Sequence, residues 1–382
     1  FKQKTAYEIY QCDWSSDVCS SDLGKGATGT VYEAVDTFSG QKVALKVIEP
    51  EVFRDPEFGT VYRAQLLNEA SLAGKLKHPH IVAILDAVVQ DDAGHIAMEL
   101  VTGGDLSQNA TPDKLLPVAD VLQIGFKCCG ALNYAFAEGI VHRDIKPANI
   151  MIQQGTDVKI SDFGAALLKK TQAVHTEVMG SPYYMSPEQI EEKELTHHSD
   201  MYSLGVVLYE LLTGAKPFTA PSLPELAQKI LTEAPQPPSA LRKGLPKGVD
   251  SVVLKALGKK PEHRYATWAE FEVELSNAGK LVTSPDAIPD SEKFVALKGV
   301  ALLAALSDAE LWELVKAGQW RRIPGGKAII RENDPGQSFF FLGSGQVKVT
   351  RQGRLLNVID KRECFGEMAY IRGGELPRHA TV

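Results

Sequence analysis

Apolar and polar positions alternate with different periods along the chain. VYEAVD (31–36) and QKVALKVI (41–48) are rich in β-branched and aromatic residues and flank a turn at Ser39-Gly40, which predicts a β-hairpin. In the second run Val43 and Leu45 fall on one face, Ala44 and Lys46 on the other. Tyr62, Leu66, Glu69, Ala73 and Leu76 then recur at intervals of four, three, four and three, a helical stripe that carries Glu69 on its buried side. DMYSLGVVLYELLTG, opening at Asp200, is apolar nearly all round, as in a helix enclosed by other elements. After Leu275 the stretch SNAGKLVTSPDAIPDSEK has neither period and reads as a linker. FVALKGVALLAALSDAELWELVKAG predicts two short helices, the second capped by Ser307. AIIRE, SFFFLGSGQVKVT and LLNVID follow as strands, with turns at Asp334-Pro335-Gly336 and Gly353, and predict a small antiparallel barrel or jelly roll.

Bulk properties narrow the function. A chain of 382 residues holds two or three packing units, and 44% hydrophobic with 23% charged residues is the composition of a globular protein. No run of about 18 uncharged apolar residues is present, so no membrane span is expected. A net charge of -7 argues against nucleic acid as a partner, because neutralising phosphates needs an excess of Lys and Arg. Cysteines at 12, 19, 128, 129 and 364 include no CxxC pair, and a reducing cytoplasm is the expected location. Residues 1–23 cluster Cys, Trp, Ser and Asp without any period and resemble translated sequencing-adapter read-through. They are expected to be artefact or disordered leader and are set apart, which moves the charge from -7 to -5. A start at Phe1, with no secretory apolar region after it, leads to the expectation that the natural N-terminus is missing and that there is no signal peptide.

Candidate chemistry begins at GKGATGTV, where Gly24, Gly26 and Gly29 stand in GxGxxG spacing before Val31. Glycines let backbone amides approach a polyphosphate, and Val31 can cover a purine; a plain glycine turn has the same spacing. The strand that follows disfavours a dinucleotide fold, which places a helix there. Lys46 faces inward and needs an anion, and Glu69 on a buried face needs a cation, so the two are expected to pair, either within a site or as an ordinary surface bridge. HRDIKPANIMI (142–152) and then Asp162-Phe163-Gly164 supply a carboxylate for an attacking hydroxyl, oxygen ligands for magnesium and cations for phosphates, the set that phosphoryl transfer requires.

With these motifs the chain resembles the eukaryotic-type protein kinase family, found also in bacteria. The resemblance implies that Lys46 holds the ATP phosphates, that Glu69 orients Lys46, that Asp144 takes or steers the substrate hydroxyl proton, and that Lys146 neutralises the γ-phosphate. It assigns Mg2+ to Asn149 and Asp162. Nucleotide contacts fall to Gly24, Lys25, Gly26, Gly29, Val31 and Ala44, to Met98 behind the adenine, to the backbone of Glu99 and Val101, and to Met151 as pocket floor; packing roles account equally well for the last four. DIKPAN, together with GSPYYMSPE, follows the serine/threonine pattern, with Ser181 in place of the usual threonine. Glu188 is expected to pair with Arg264, and Asp200 to support the catalytic loop from below. Thr171 and Thr176 are candidate activating phosphosites with Arg143 as phosphate partner, and plain loop hydroxyls are the alternative.

CFGEMAYIRGGELPRHATV (364–382) resembles the phosphate cassette of cyclic-nucleotide-binding domains, with the likeness running from about Phe294. It implies that Arg378 grips the cyclic phosphate, that Glu367 accepts the ribose 2′-hydroxyl, and that Gly366, Met368, Ala369, His379 and Ala380 complete the cradle. His379 and Tyr370 depart from the usual pattern, so cAMP and cGMP stay equally open, as does a barrel used only for docking.

The expected fold is α+β: a bilobal kinase domain at 24–275 (N-lobe 24–98, C-lobe 102–275), a linker at 276–292, and a cyclic-nucleotide-binding β-barrel with flanking helices at 293–382, cut short at its C-terminal side. The expected activity is transfer of the ATP γ-phosphate to Ser/Thr hydroxyls of proteins, self-phosphorylation included, under cyclic-nucleotide control. A pseudokinase scaffold with a non-sensing barrel is the alternative, which Lys46, Glu69, Asp144, Asn149 and Asp162 speak against.

Overall fold

The computed structural model describes residues 21–25, 29–36, 39–48, 59–60, 63, 76–90, 93–163, 182–280, 288–336, 338–367 and 377–382. Two compact units divide the chain, Phe1–Leu281 and Val282–Val382. No helix among the described residues is long and apolar enough to cross a membrane.

The first unit opens with a five-stranded antiparallel sheet of β1 (Ser21–Lys25), β2 (Gly29–Val35), β3 (Lys42–Ile48), β4 (Ile84–Gln90) and β5 (Ala93–Glu99), in the order β1-β2-β3-β5-β4. Directly opposed residues share a face. Val31 lies opposite Lys46, Lys46 opposite Ile96, and Ala44 opposite Met98, so Val31, Ala44, Lys46 and Met98 line one side of the sheet. Val43, Ala44 and Leu45 are all buried, so both faces are covered where these residues lie. At Gly29 a Cβ would come within 2.0 Å of Val47 O, a contact that only glycine avoids. Ser21 and Asp22 pair with Glu33 and Tyr32 in β1, so this strand begins ahead of residue 24; strand pairing uses backbone groups and asks little of side-chain type.

A helical half follows. Its helices are α1 (Val118–Ala137), α2 (His197–Thr213), α3 (Leu223–Thr232), α4 (Lys247–Ala256) and α5 (Trp268–Lys280). Helix α2 is buried at every position from Ser199 to Thr213, as its all-round apolar sequence predicts. It begins three residues before Asp200, where Thr196 Oγ1 accepts from His198 N, and ends at Gly214 with φ +73°. Helix α5 packs on α1 and continues past Leu275 into the stretch predicted as linker, because Ser276 and Ala278 are buried. Between α1 and α2 a two-stranded sheet, β6 (Ile150–Gln154) with β7 (Asp157–Ile160), carries the central motifs. Strand β7 is joined to the segment before β4 by Val82 N to Ile160 O and Ile160 N to His80 O, both at 2.9 Å.

In the second unit α6 (Asp290–Lys298) and α7 (Asp308–Ala317) are the two expected helices, and a reciprocal capping box of Ser307 and Glu310 starts α7. Phe294 and Trp312 stack between them with ring centroids 4.5 Å apart. Strand β8 (Phe340–Phe341) pairs with β11 (Cys364–Phe365), and β9 (Gln346–Arg351) with β10 (Arg354–Asp360). AIIRE differs from expectation. Among the described residues its backbone-to-backbone pairing is that of Ile329 and Ile330 with Val382, too few rungs to make it a strand.

Candidate functional site

The loop between α1 and β6 is held from beneath. Asp200, buried in the first turn of α2, accepts from His142 N through Oδ2 and from Arg143 N through Oδ1, both at 2.7 Å. Burial pushes this carboxyl above its ordinary value, and the amides of His142 and Arg143 with the nearby Arg143 charge oppose the rise. The fully buried His142 donates from Nε2 to Ser161 O at 2.9 Å, and its Nδ1 accepts from Asp144 N at 3.3 Å, one tautomer satisfying both. Arg143 has φ +70° and Asp162 φ +63°, left-handed conformations that cost a non-glycine residue about 1–3 kcal/mol and are held by these surrounding bonds. Gln189 Nε2 adds a bond to Arg143 O at 2.8 Å.

Around this frame the polar side chains converge. Lys146 Nζ donates to Asp144 Oδ2 at 2.7 Å, and Asn149 Nδ2 donates to Asp144 O at 2.7 Å and to Oδ2 at 3.1 Å. Ser161, just before Asp162, donates its N–H to Asn149 O at 2.9 Å, which brings the two motifs together. Phe163 is buried with its ring centroid 4.6 Å from that of His142. From the sheet, Lys46 Nζ reaches Asp162 Oδ1 at 3.1 Å. Acid and base alternate across a half-open space, an arrangement suited to holding a polyphosphate with its cation. Asn149 and Asp162 offer one amide and one carboxylate oxygen. That small set fits magnesium, which takes one or two carboxylates and completes its octahedron with substrate phosphates and water.

Not every expected residue is within view. Gly26, Glu69, Thr171, Thr176, Met368 and Ala369 lie outside the described residues, as do Gly164, Ser181 and Tyr370. Gly24 and Lys25 stand on β1, Gly29 and Val31 on β2, and Ala44 on β3. Met98 and Glu99 end β5, half-buried Val101 follows, and Met151 lies on β6 with a bridge to Asp105. Glu99 brings an addition: its Oε2 accepts from Lys159 Nζ of β7 at 2.9 Å. Lys159 escaped the sequence analysis, and its one signal was a lysine in an otherwise apolar strand, VKI.

Behind the site Glu188 and Arg264 form the expected pair, Nη1 to Oε1 at 2.7 Å and Nη2 to Oε2 at 2.8 Å. Ser199 Oγ also donates to Glu188, and Arg264 donates to His198 O and Gly258 O. Burial pushes the Glu188 carboxyl up, but Arg264 and the other donors outweigh it and hold the group below its ordinary value.

In the second unit Gly366 and Arg378 meet. Arg378 is 4% exposed; its Nη1 donates to Gly366 O at 2.7 Å and its Nη2 to Ser338 O. Gly366 has φ +82°, a conformation that favours glycine, and a Cβ there would come 2.9 Å from Arg378 Nη1 and make the guanidinium shift. Arg378 Nε is buried without a partner, and no carboxylate among the described residues pairs with this guanidinium. A buried cation in that state suits an anion. Glu367 follows half-buried, while His379 is exposed and Ala380 half-buried.

Comparisons with known proteins agree with this geometry. The protein kinase domain family matches residues 18–272 and the cyclic nucleotide-binding domain family residues 320–382. Serine/threonine-protein kinase PknB of Mycobacterium leprae is 38% identical over 311 residues, 78% of this chain and 49% of that protein. Serine/threonine-protein kinase PrkC of Bacillus subtilis is 39% identical over 260 residues, 67% of this chain and 39% of that protein. The chain spans about half the length, or less, of these curated relatives. With Lys46, Asp144 and Asp162 gathered on one frame, the chain belongs to the protein kinase domain family and bears a cyclic nucleotide-binding domain.

Proposed function

We propose that the chain transfers the γ-phosphate of ATP to Ser/Thr hydroxyls of protein substrates, with Lys46 on the phosphates, Asp144 steering the hydroxyl proton, Lys146 offsetting γ-phosphate charge, and Asn149 with Asp162 holding Mg2+. The observation that carries this reading is the Lys46–Asp162 contact of 3.1 Å, which ties the sheet to the turn after β7, itself bonded to Asn149 through Ser161 N. Such a site works by positioning and charge neutralisation, and Lys46, Asp144, Lys146, Asn149 and Asp162 are suited to both. The face of Val31, Ala44 and Met98 suits the adenine, and the backbone from Glu99 to Val101 suits its polar edge. Phosphate transfer from γ-labelled ATP to a generic protein substrate tests it: label dependent on Mg2+ is expected, and none with any Ser/Thr substrate would end it.

Activation by phosphorylation at Thr171 or Thr176 belongs to the same reading. Arg143 is half-buried with Nε and Nη1 lacking partners, and burial lowers its pKa, so it gains from a phosphate beside it. Unchanged activity with both threonines replaced by Ala would remove this part. The second unit is proposed to bind a cyclic nucleotide at Arg378, Gly366 and Glu367 and so to shift kinase activity. Coupling requires unequal affinity for two states, so a kinase rate that is flat across saturating cAMP and cGMP would reject it.

A further inference from the structure

Ser338 stands beside the cassette arginine and belongs to none of the motifs assigned above. It is exposed, and its Oγ lies 3.2 Å from Arg378 Nη2, which also donates to the Ser338 carbonyl. The hydroxyl accepts in that contact, so its own proton remains to be given up. Arg378 itself is nine-tenths buried, carries a buried unpartnered Nε, and meets no carboxylate among the described residues. Its three side-chain hydrogen bonds among the described residues are to two backbone carbonyls and this one hydroxyl, all neutral acceptors. A phosphoryl group on Ser338 would bring about two negative charges and three strong acceptors to a planar fork that is short of an anion. The backbone holds Arg378 in place: its N donates to Asp334 O and its O accepts from Asn333 N, both at 2.8 Å.

We propose that Ser338 is a phosphorylation site of this chain's own kinase activity, and that Arg378 clasps the resulting phosphoserine. The inference rests on the kinase reading above. In the transfer, Ser338 Oγ forms a bond to the γ-phosphorus of ATP and the bond from that phosphorus to the β,γ-bridging oxygen breaks. ADP leaves with the electron pair, and the hydroxyl proton passes to Asp144 of the acting copy. A covalent phosphate on Ser338 would then occupy the guanidinium that a cyclic phosphate needs, so modification and nucleotide binding would exclude one another.

Two measurements test it. The full chain is incubated with Mg2+ and ATP and its phosphopeptides are mapped: phosphate on Ser338, absent from Asp144→Asn, is expected. Ser338 left bare while a generic protein substrate is labelled overturns the inference and leaves the kinase reading standing; no label on either removes both. Phosphoserine is then installed at 338 in the Asp144→Asn background, so that it is the only phosphate, and titrated by phosphorus NMR. A midpoint at a proton concentration at least tenfold higher than that of the usual second ionisation near pH ~6 is expected, returning there with Arg378→Gln. A midpoint near 6 with Arg378 in place overturns the clasp without recourse to any variant.

Discussion

Lys46 Nζ and Asp162 Oδ1 lie 3.1 Å apart although 116 residues separate them in the chain. Lys46 comes from β3 and Asp162 from the turn after β7, so the contact spans the sheet and the helical half of one unit. Replacing a preorganised charge that acts on developing phosphate charge costs about 10²–10³-fold in kcat, and Lys46→Met is expected to show that loss with its melting temperature little changed. Asp162→Asn should in addition raise the Mg2+ concentration needed for half-maximal rate. Steady-state kinetics across a Mg2+ series checks both.

Asp144 is held by Lys146, Asn149 and its own amide to His142. Asp144→Asn keeps the shape and loses the charge proposed to receive the proton. A fall of about 10²–10⁴-fold in kcat with KM for ATP nearly constant is the expected result, since only the transition state uses that charge. Equal losses in nucleotide binding, measured by titration with a fluorescent ATP analogue, would contradict the role.

Much of this was legible because Asp144, Lys146, Asn149 and Asp162 crowd two short motifs whose spacing is set by one loop and one hairpin. Helix α2 announced itself by its unbroken apolar character, and Ser307 by the Glu three residues on. The service of Asp200 to the loop below was readable only through the family likeness. Lys159 and Ser338 were invisible for a physical reason: each acts on a partner 60 or 40 residues away, and nothing local marks the pairing. AIIRE misled because its β-branched pattern is real, yet among the described residues its strand-like backbone pairing stops at Ile329 and Ile330 against Val382.

Glu188 and Arg264 carry stability. Both are buried, so Arg264→Ala leaves a carboxylate without its counter-charge, a change that costs about 3–5 kcal/mol. The acid dependence has a definite sign. The folded Glu188 carboxyl sits below its ordinary value of 4.5, so the pair's contribution is complete above that pH and is lost as pH falls through the lower folded value. Urea unfolding from pH 7 to pH 3 should show stability dropping below pH ~4.5 in the wild type, and part of that slope should vanish in Glu188→Gln.

Glu99 and Lys159 tie the last residue of β5 to β7, and the same carboxylate oxygen accepts from Ala83 N at 3.3 Å. Three segments therefore meet at one charge: the end of the sheet, the chain entering β4, and the strand that leads into Asp162. Lys159 is 10% exposed in its side chain and Glu99 30%, so solvent screens the pair only in part. The backbone just after Glu99 is where the adenine edge is proposed to bind, and a looser anchor there costs order on binding rather than chemistry. Lys159→Met, which keeps the stem and removes the charge, is accordingly expected to raise KM for ATP by about threefold to tenfold, a change of about 0.7–1.4 kcal/mol, while kcat changes less than KM. Glu99→Gln should reproduce the effect, and the double variant should be no worse than either alone, because both remove one interaction. Additive losses in the double variant would show that the two residues act separately.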